Sequence, residues 1–364
     1  MVSFAATEEQ EMIVDSVRDF AREQLRNVMR EADDSGDIPA TIIETGWGLG
    51  IVPALIPEQY GGFAGEYSAV TGALVGEELA YGDLAGAVYL LSPLSVAIPI
   101  LLGGTEEQKH EYLPRFASDT FMPATAALIE PRITYDPMDM YTTAVKDGDV
   151  YLLNGTKAYV PLAASAGMML VWAKEGDATQ GFLVDLGAAG ITIGEREKNM
   201  GIKGLPTYKV SFQDVHVSPQ CKLGGEAGVD FEMMLDHSRV AMSAMAVGVG
   251  KAALEYAMTY AKEREAFGAP IATRQAIAFM LAEMQTDLDG GRLLVWEAAW
   301  RLDQGLEATR EARLAKTFMD DTALMCGDRS VQILGGHGYI RDHPVELWLR
   351  NARAFGVLDG LAMV

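Results

Sequence analysis

Basic residues are scarce in this chain. Its 364 residues carry 29 Lys and Arg against 51 Asp and Glu, a formal net charge of -22. Such a surface repels phosphate backbones and anionic headgroups, which excludes nucleic acid and anionic membranes as partners. The acidity itself reads as solubility and names no substrate. Cysteine is nearly missing, with only Cys221 and Cys326. Two isolated thiols make neither a disulfide framework nor a metal site, so no metal is expected, and both read as buried or incidental. No apolar run approaches the ~20 residues of a membrane span. The N-terminus lacks a basic stretch followed by an apolar core. The expected location is cytoplasmic.

With 49% hydrophobic and 22% charged residues, the chain is long enough to bury more than one core. It shows no internal repeat and no low-complexity tract, but its periodicity changes twice. This predicts an α+β protein of three domains: helical at 1–118, β at 119–225 and a four-helix bundle at 226–364. In the first zone Thr7 and Gln10 form a capping box ahead of Ile13, Val17 and Phe20 at helix spacing. Pro57 to Gly62 marks a turn. In the second, Asp149–Leu153, Asn154-Gly155 and Thr156–Val160 read as strand, tight hairpin turn and strand. Met168–Trp172 and Phe182–Val184 read as buried strands; Tyr208, Val210 and Phe212 alternate with polar neighbours, as in a strand with one wet face. In the third, Ile277, Leu281, Met284 and Leu288 form one helical stripe, and Leu314, Phe318 and Met325 another. The many Met and Ala residues there are read as core filling.

Several ordered segments then stand out. They include Glu130-Pro131 with Thr142 and Ala144; Gly148, Asn154-Gly155 and Lys157; and Gly204, Thr207 and Phe212. Further on come Arg264-Glu265-Ala266-Phe267-Gly268, Gln332 to Tyr339, Arg350-Asn351-Ala352-Arg353 and Leu358-Asp359-Gly360. In this order and spacing the chain resembles the acyl-CoA dehydrogenases over nearly its whole length. The resemblance implies helices, then a β barrel or sandwich, then a four-helix bundle. It implies an FAD-dependent oxidoreductase that removes two hydrogens from an acyl-CoA thioester, with electron-transferring flavoprotein as acceptor. No side chain accepts a hydride, so that chemistry needs a flavin which the protein positions.

Carried over residue by residue, the resemblance places Asp359 at the position of the catalytic base, a carboxylate one methylene shorter than the usual Glu. A second base position used in the family falls on Ser238, which takes no proton unaided. His237 beside it is the other titratable candidate, read as structural. Asp236 and Arg239 match the CoA-side motif and also read as a helix-start pair. The flavin-ring contacts are altered. Ile129, Thr134 and Tyr135 replace Thr, Gly and Ser; Pro161 replaces a residue that bonds flavin N5; Leu361 replaces a Thr. Tyr159 keeps an aromatic beside the ring. The residues that would reach across a dimer interface to a neighbour's ADP half are intact: Arg264, Phe267, Gln275, Gln332, Gly335 and Gly336. An Arg suits a pyrophosphate through bidentate, charge-assisted bonds, and paired glycines let backbone amides come close.

That asymmetry suggests one subunit of a heterotetramer, two copies each of two acyl-CoA dehydrogenase-family subunits. The partner subunit would supply base and ring contacts, and this chain the ADP-half contacts. Paired subunits of this kind in actinobacterial relatives act on steroid side-chain CoA thioesters, so such a thioester is the expected substrate. A homotetramer using Asp359 with its own flavin, and a flavin-free acyl-CoA binder or scaffold, stand as alternatives. The chain stops soon after Asp359, where family members continue into another helical stretch, which suits an uncompleted site or a truncation equally.

Overall fold

The computed structural model describes residues 4–357 and 359–364. Leu358, the first residue of the Leu-Asp-Gly segment, lies outside the described residues. The chain opens with α1 (Glu8–Phe20), whose Thr7 and Gln10 form the expected capping box. A π-helical turn at Ala21–Leu25 leads into α2 (Arg26–Ser35), and α3 (Ala40–Gly48) follows. A short turn at Glu58–Tyr60 ends on Gly61 with a positive φ, where the Pro-Gly pattern predicts a break. Then come α4 (Ala69–Gly82), α5 (Leu84–Leu91), α6 (Leu94–Gly103) and α7 (Glu106–Tyr112). The first of these, α4, is buried along almost its whole length, and its two acids, Glu77 and Glu78, are buried against Arg292 and Arg18. Among the described residues no single helix is long and apolar enough to cross a membrane; one bent pair, α5 with α6, passes by length and composition only.

The middle zone is a seven-stranded sheet of β1 (Ala124–Ala127), β2 (Thr143–Asp147), β3 (Val150–Pro161), β4 (Met168–Glu175), β5 (Ala178–Asp185), β6 (Ile191–Arg196) and β7 (Thr207–Val217). Its order is β1-β4-β2-β3-β7-β6, with β5 on β4, and β1 runs parallel to β4. Alternate residues fill a separate apolar core that includes Leu153, Val171, Phe182, Val210 and Phe212.

The Asn154-Gly155 hairpin is not there. Instead β3 runs straight through that dipeptide, and the hairpin joins β2 to β3 one step earlier, around Gly148. Asn154 exchanges two bonds with Asp214: its Nδ2 donates to Oδ1 at 3.0 Å, and Asp214 N donates to its Oδ1 at 2.9 Å. At Gly155 the register against β7 shifts, and a Cβ there would lie 2.5 Å from Thr142 Oγ1. The glycine serves a bulge and a close approach rather than a turn.

The last zone is α8 (Phe231–Glu263), a two-stranded ribbon of β8 (Glu265–Ala266) and β9 (Ala269–Pro270), α9 (Gln275–Asp303), α10 (Thr309–Leu334), a short α11 (Gly336–Tyr339) and α12 (Val345–Ala352). Of the first apolar stripe, Met284 and Leu288 are buried. The second is placed otherwise than expected. Leu314 and Phe318 are exposed on this chain, while the buried face of α10 is Ala312, Ala315, Met319, Ala323 and Cys326. Small residues on that face allow close packing against α8, so the larger apolar side chains turn outward.

All three zones meet at Asp33 of α2. Arg350 of α12 grips it with two bonds, at 2.8 and 2.7 Å, and also donates to the Met200 carbonyl at 2.9 Å. Arg341 bonds Asp33 at 2.9 Å, and Lys203 lies 3.5 Å away. Next to Arg350, Asn351 Oδ1 accepts from Ile202 N at 2.7 Å. Burial alone would raise the Asp33 carboxyl, but Arg350, then Lys203 and Arg341, outweigh it and hold it below the usual range. Removing this carboxylate takes the shared acceptor from Arg350, Arg341 and Lys203 and leaves Arg350 on Glu346 and Arg341 on Asp34. Asp33→Ala is expected to cost about 3 kcal/mol of stability, read as a lower urea midpoint; a loss under about 0.5 kcal/mol, the range of an ordinary surface substitution, would refute the junction's importance.

Candidate active site

The segment after β1 carries the altered flavin-ring motif, and its anchor is intact. Glu130 is buried and accepts from Thr142 N at 2.7 Å, Tyr141 N at 2.9 Å and Arg132 Nε at 3.1 Å. Fully buried Lys157 places Nζ 3.3 Å from Glu130 Oε1 and 2.9 Å from the Leu128 carbonyl. Burial pushes the Glu130 carboxyl up, yet Lys157 and the two backbone amides bring it down to about 2. Burial lowers Lys157 to about 8 against the pull of Glu130. At neutral pH the pair is charged and pins the segment to β3.

The residues around that anchor offer a flavin ring little to bond. Ile129 is buried, its side chain has no donor, and its carbonyl already accepts from Ala158 N at 2.9 Å. Pro161 ends β3 without an N–H. Tyr135 folds inward with its hydroxyl 3.5 Å from the Leu128 carbonyl. Burial, followed by the charges of Asp359 and Glu130, pushes that hydroxyl well above its ordinary range. Tyr159 adopts a positive φ, its N–H held by Glu197 Oε2 at 3.0 Å. Its side chain lines a cavity of about 220 Å³ with Gly201, Arg350, Arg353, Ala354 and Val357.

The two base positions meet in space. Gly360 N donates to Ser238 Oγ at 2.8 Å, so the serine on α8 holds the turn that carries Asp359. Asp359 is partly exposed, with Oδ1 3.5 Å from Lys316 Nζ. Lys316 on α10 has no place in the family motifs, and its i,i+4 partner Asp320 makes it look like an ordinary solvated pair in sequence. His237 is buried, with Nδ1 2.8 Å from the Tyr67 hydroxyl and in contact with the Val364 carbonyl. Burial lowers it to about 4, so it is neutral and faces the approach to α4. Asp236 and Arg239 bond each other at 2.7 Å, and Thr309 donates to Asp236 at 2.7 Å, tying the start of α8 to the start of α10.

The cross-interface set lies elsewhere, at one end of the bundle. Because α8, α9 and α10 alternate in direction, the C-terminal ends of α8 and α10 sit with the start of α9. Arg264 follows α8, Phe267 tips the ribbon, Gln275 begins α9, and Gln332 with Gly335-Gly336 closes α10. All six are exposed, Phe267 to 97%. Tyr260 OH bonds His337 Nδ1 at 2.8 Å and so fastens the glycine turn to α8; Gly335 has φ +58° and open space where a Cβ would stand. Beside it His337 stacks on His343 with ring centres 5.4 Å apart, a pairing no motif announces.

Comparison with known proteins agrees with this architecture. The acyl-CoA dehydrogenase N-terminal, middle and C-terminal domain models match residues 7–120, 125–215 and 229–362. The chain belongs to the acyl-CoA dehydrogenase family. It is therefore an oxidoreductase of that family, whose cofactor is FAD. It is 37% identical to the caffeyl-CoA reductase-Etf complex subunit CarC of Acetobacterium woodii, covering 98% of this chain and 96% of that one. It is 34% identical to a 3-(aryl)acrylate reductase of Clostridium sporogenes, covering 98% and 96%. The butyryl-CoA dehydrogenase structure from Megasphaera elsdenii superposes with a TM-score of 0.90 at 32% identity, covering 98% and 95%.

FAD fits the two halves unequally. Among the described residues the Arg264 guanidinium has no ion-pair partner, and Gly335 leaves a cradle open, as an anionic pyrophosphate would need. On the ring side the side chains of Ile129, Pro161 and Leu361 supply no donors, and Pro161 has no backbone N–H.

The Glu130 anchor should show in pH dependence. Its folded value of about 2 lies below the 4.5 of an unconstrained Glu, so its stabilisation is complete above pH 4.5 and lost as pH falls toward 2. About 3 kcal/mol should vanish across that window, and Glu130→Gln should remove the dependence. An equal change with pH of the urea-derived stability in parent and variant would contradict it.

Proposed function

We propose that this chain is one subunit of a heteromeric FAD-dependent acyl-CoA dehydrogenase-family enzyme. It gives Arg264, Phe267, Gln275, Gln332, Gly335 and Gly336 to the ADP half of a flavin held mainly by a second family subunit. The observation that carries this reading is the contrast between an exposed set at the bundle end, whose Arg264 has no ion-pair partner among the described residues, and the ring-side positions Ile129, Pro161 and Leu361, whose side chains carry no donor. In the partner's site, bound FAD would take the β hydride of the thioester. This chain's part there is binding: the Arg264 fork and the Gly335-Gly336 amides orient a pyrophosphate.

The likeness to CarC, named as part of a reductase–Etf complex, supports electron-transferring flavoprotein as the electron partner. Relatives named for caffeyl-CoA and aryl acrylates support a bulky acyl group next to the reacting carbons. The finer substrate, a steroid side-chain thioester bound with help from Asp236 and Arg239, rests on the resemblance to paired subunits.

A second reading is favoured by one observation, the 220 Å³ cavity between Tyr159 and Val357 on the arm that leads to Asp359. In it the chain forms a homotetramer, holds its own flavin and uses Asp359 as the base. Flavin content separates the two. The chain purified alone should be colourless, and co-expression with a second family subunit should give one flavin per pair. A full complement of flavin in the chain alone would overturn the shared site. In that event Asp359→Asn should abolish turnover while the fold is kept.

A further inference from the structure

Lys316 and Asp320 have no part in the chemistry described so far. They lie one turn apart on α10, beside the arm that carries Asp359. Lys316 Nζ stands 2.6 Å from Asp320 Oδ2, 2.7 Å from the Phe355 carbonyl and 3.5 Å from Asp359 Oδ1. The first two are hydrogen bonds; the third is an ion pair without one. One ammonium thus faces two carboxylates, and Asp320 has it. Asp320 Oδ1 and Asp359 Oδ1 are both shielded from solvent and lack a hydrogen-bond partner. The Phe355 bond fixes the turn between α12 and Asp359, so Lys316 holds the arm whichever carboxylate it serves.

We infer that Asp320 is a positioning residue for Asp359: it draws Lys316 onto α10 and leaves the Asp359 carboxylate with a free oxygen for a ligand proton. The inference rests on the second reading above, the homotetramer in which Asp359 acts in the chain's own cleft. Few other groups face this pair. From α10 come Lys316 and Asp321; the segment after β1 brings Tyr135; α8 offers uncharged Ser238 through the Gly360 amide; and Arg353 lines the adjoining cavity.

A neutral Asp320 holds an ammonium less firmly, so on protonation Lys316 passes to Asp359 and occupies the oxygen the chemistry needs. Burial, against Lys316 and with Asp359 and Asp321, raises Asp320 to about 6, so the exchange centres there. The competent arrangement is present above that pH and lost below it. Taking a general base out of use in this way costs on the order of a hundredfold in rate.

Nitrogen NMR of the apo chain labelled at lysine Nζ, with the signal assigned by Lys316→Arg, tests the exchange without any turnover. The Lys316 signal should move with a midpoint near pH 6. It should stay flat in Asp320→Asn, move again in Asp320→Glu, and lose most of its amplitude in Asp359→Asn. A titration in Asp359→Asn identical to the parent's would overturn the proposal, because Lys316 would then answer to Asp320 alone. In a flavin-loaded chain that turns over, Asp320→Asn should lower kcat about a hundredfold with little change in KM, and Asp320→Glu should restore it. The NMR response in a loaded chain without turnover supports the exchange and refutes only the role of Asp359 as base.

Discussion

The structure depends on one buried carboxylate, Asp33, held by cations from two other domains. Arg350 and Arg341 reach it from the bundle and Lys203 from the loop before β7. A charge taken out of water is costly unless paired with good geometry. The N-terminal helices and the bundle share one core, the sheet keeps its own, and this junction sets the zones in one relation. The cavity beside Tyr159 lies on this junction and shares Arg350 with it. The motif residues Arg350 and Asn351 thus act first as fasteners: one grips Asp33, the other accepts the Ile202 amide.

The same division runs through the middle domain. Glu130 and Lys157 are bonded within the fold and shape the segment after β1. Ile129, Tyr135 and Pro161, close to them in sequence, are the positions altered at the ring. Changes there cost the fold little, because apolar or ring-closed side chains sit in a buried setting without stranding a partner. Changes at Glu130 or Lys157 would leave a buried charge alone.

The clamp at the bundle end follows different physics. Its six residues are exposed, and within one chain they stabilise little. Gly335 has open space on its Cβ side. The outward Leu314 and Phe318 add apolar surface on a bundle helix.

Much of this was legible in sequence, for identifiable reasons. The Thr7–Gln10 cap, the apolar stripe ending in Met284 and Leu288, and the alternation in β7 are local patterns with a period of their own, and the structure keeps them. The ordered motifs announced the family. Asn154-Gly155 misled, because a dipeptide able to turn is equally able to bulge, and the choice lay with Asp214 and Thr142 on strands far away in the chain. Lys316 and Asp320 looked like a surface pair until folding set Asp359 beside them. Sequence by itself determined the three periodic zones, the family and the residue types at the motif positions, because those are properties of residue type and spacing. Only the tertiary structure decided which charges are shared, which glycines are crowded and where Asp359 points, because those depend on distances between segments that local sequence does not encode.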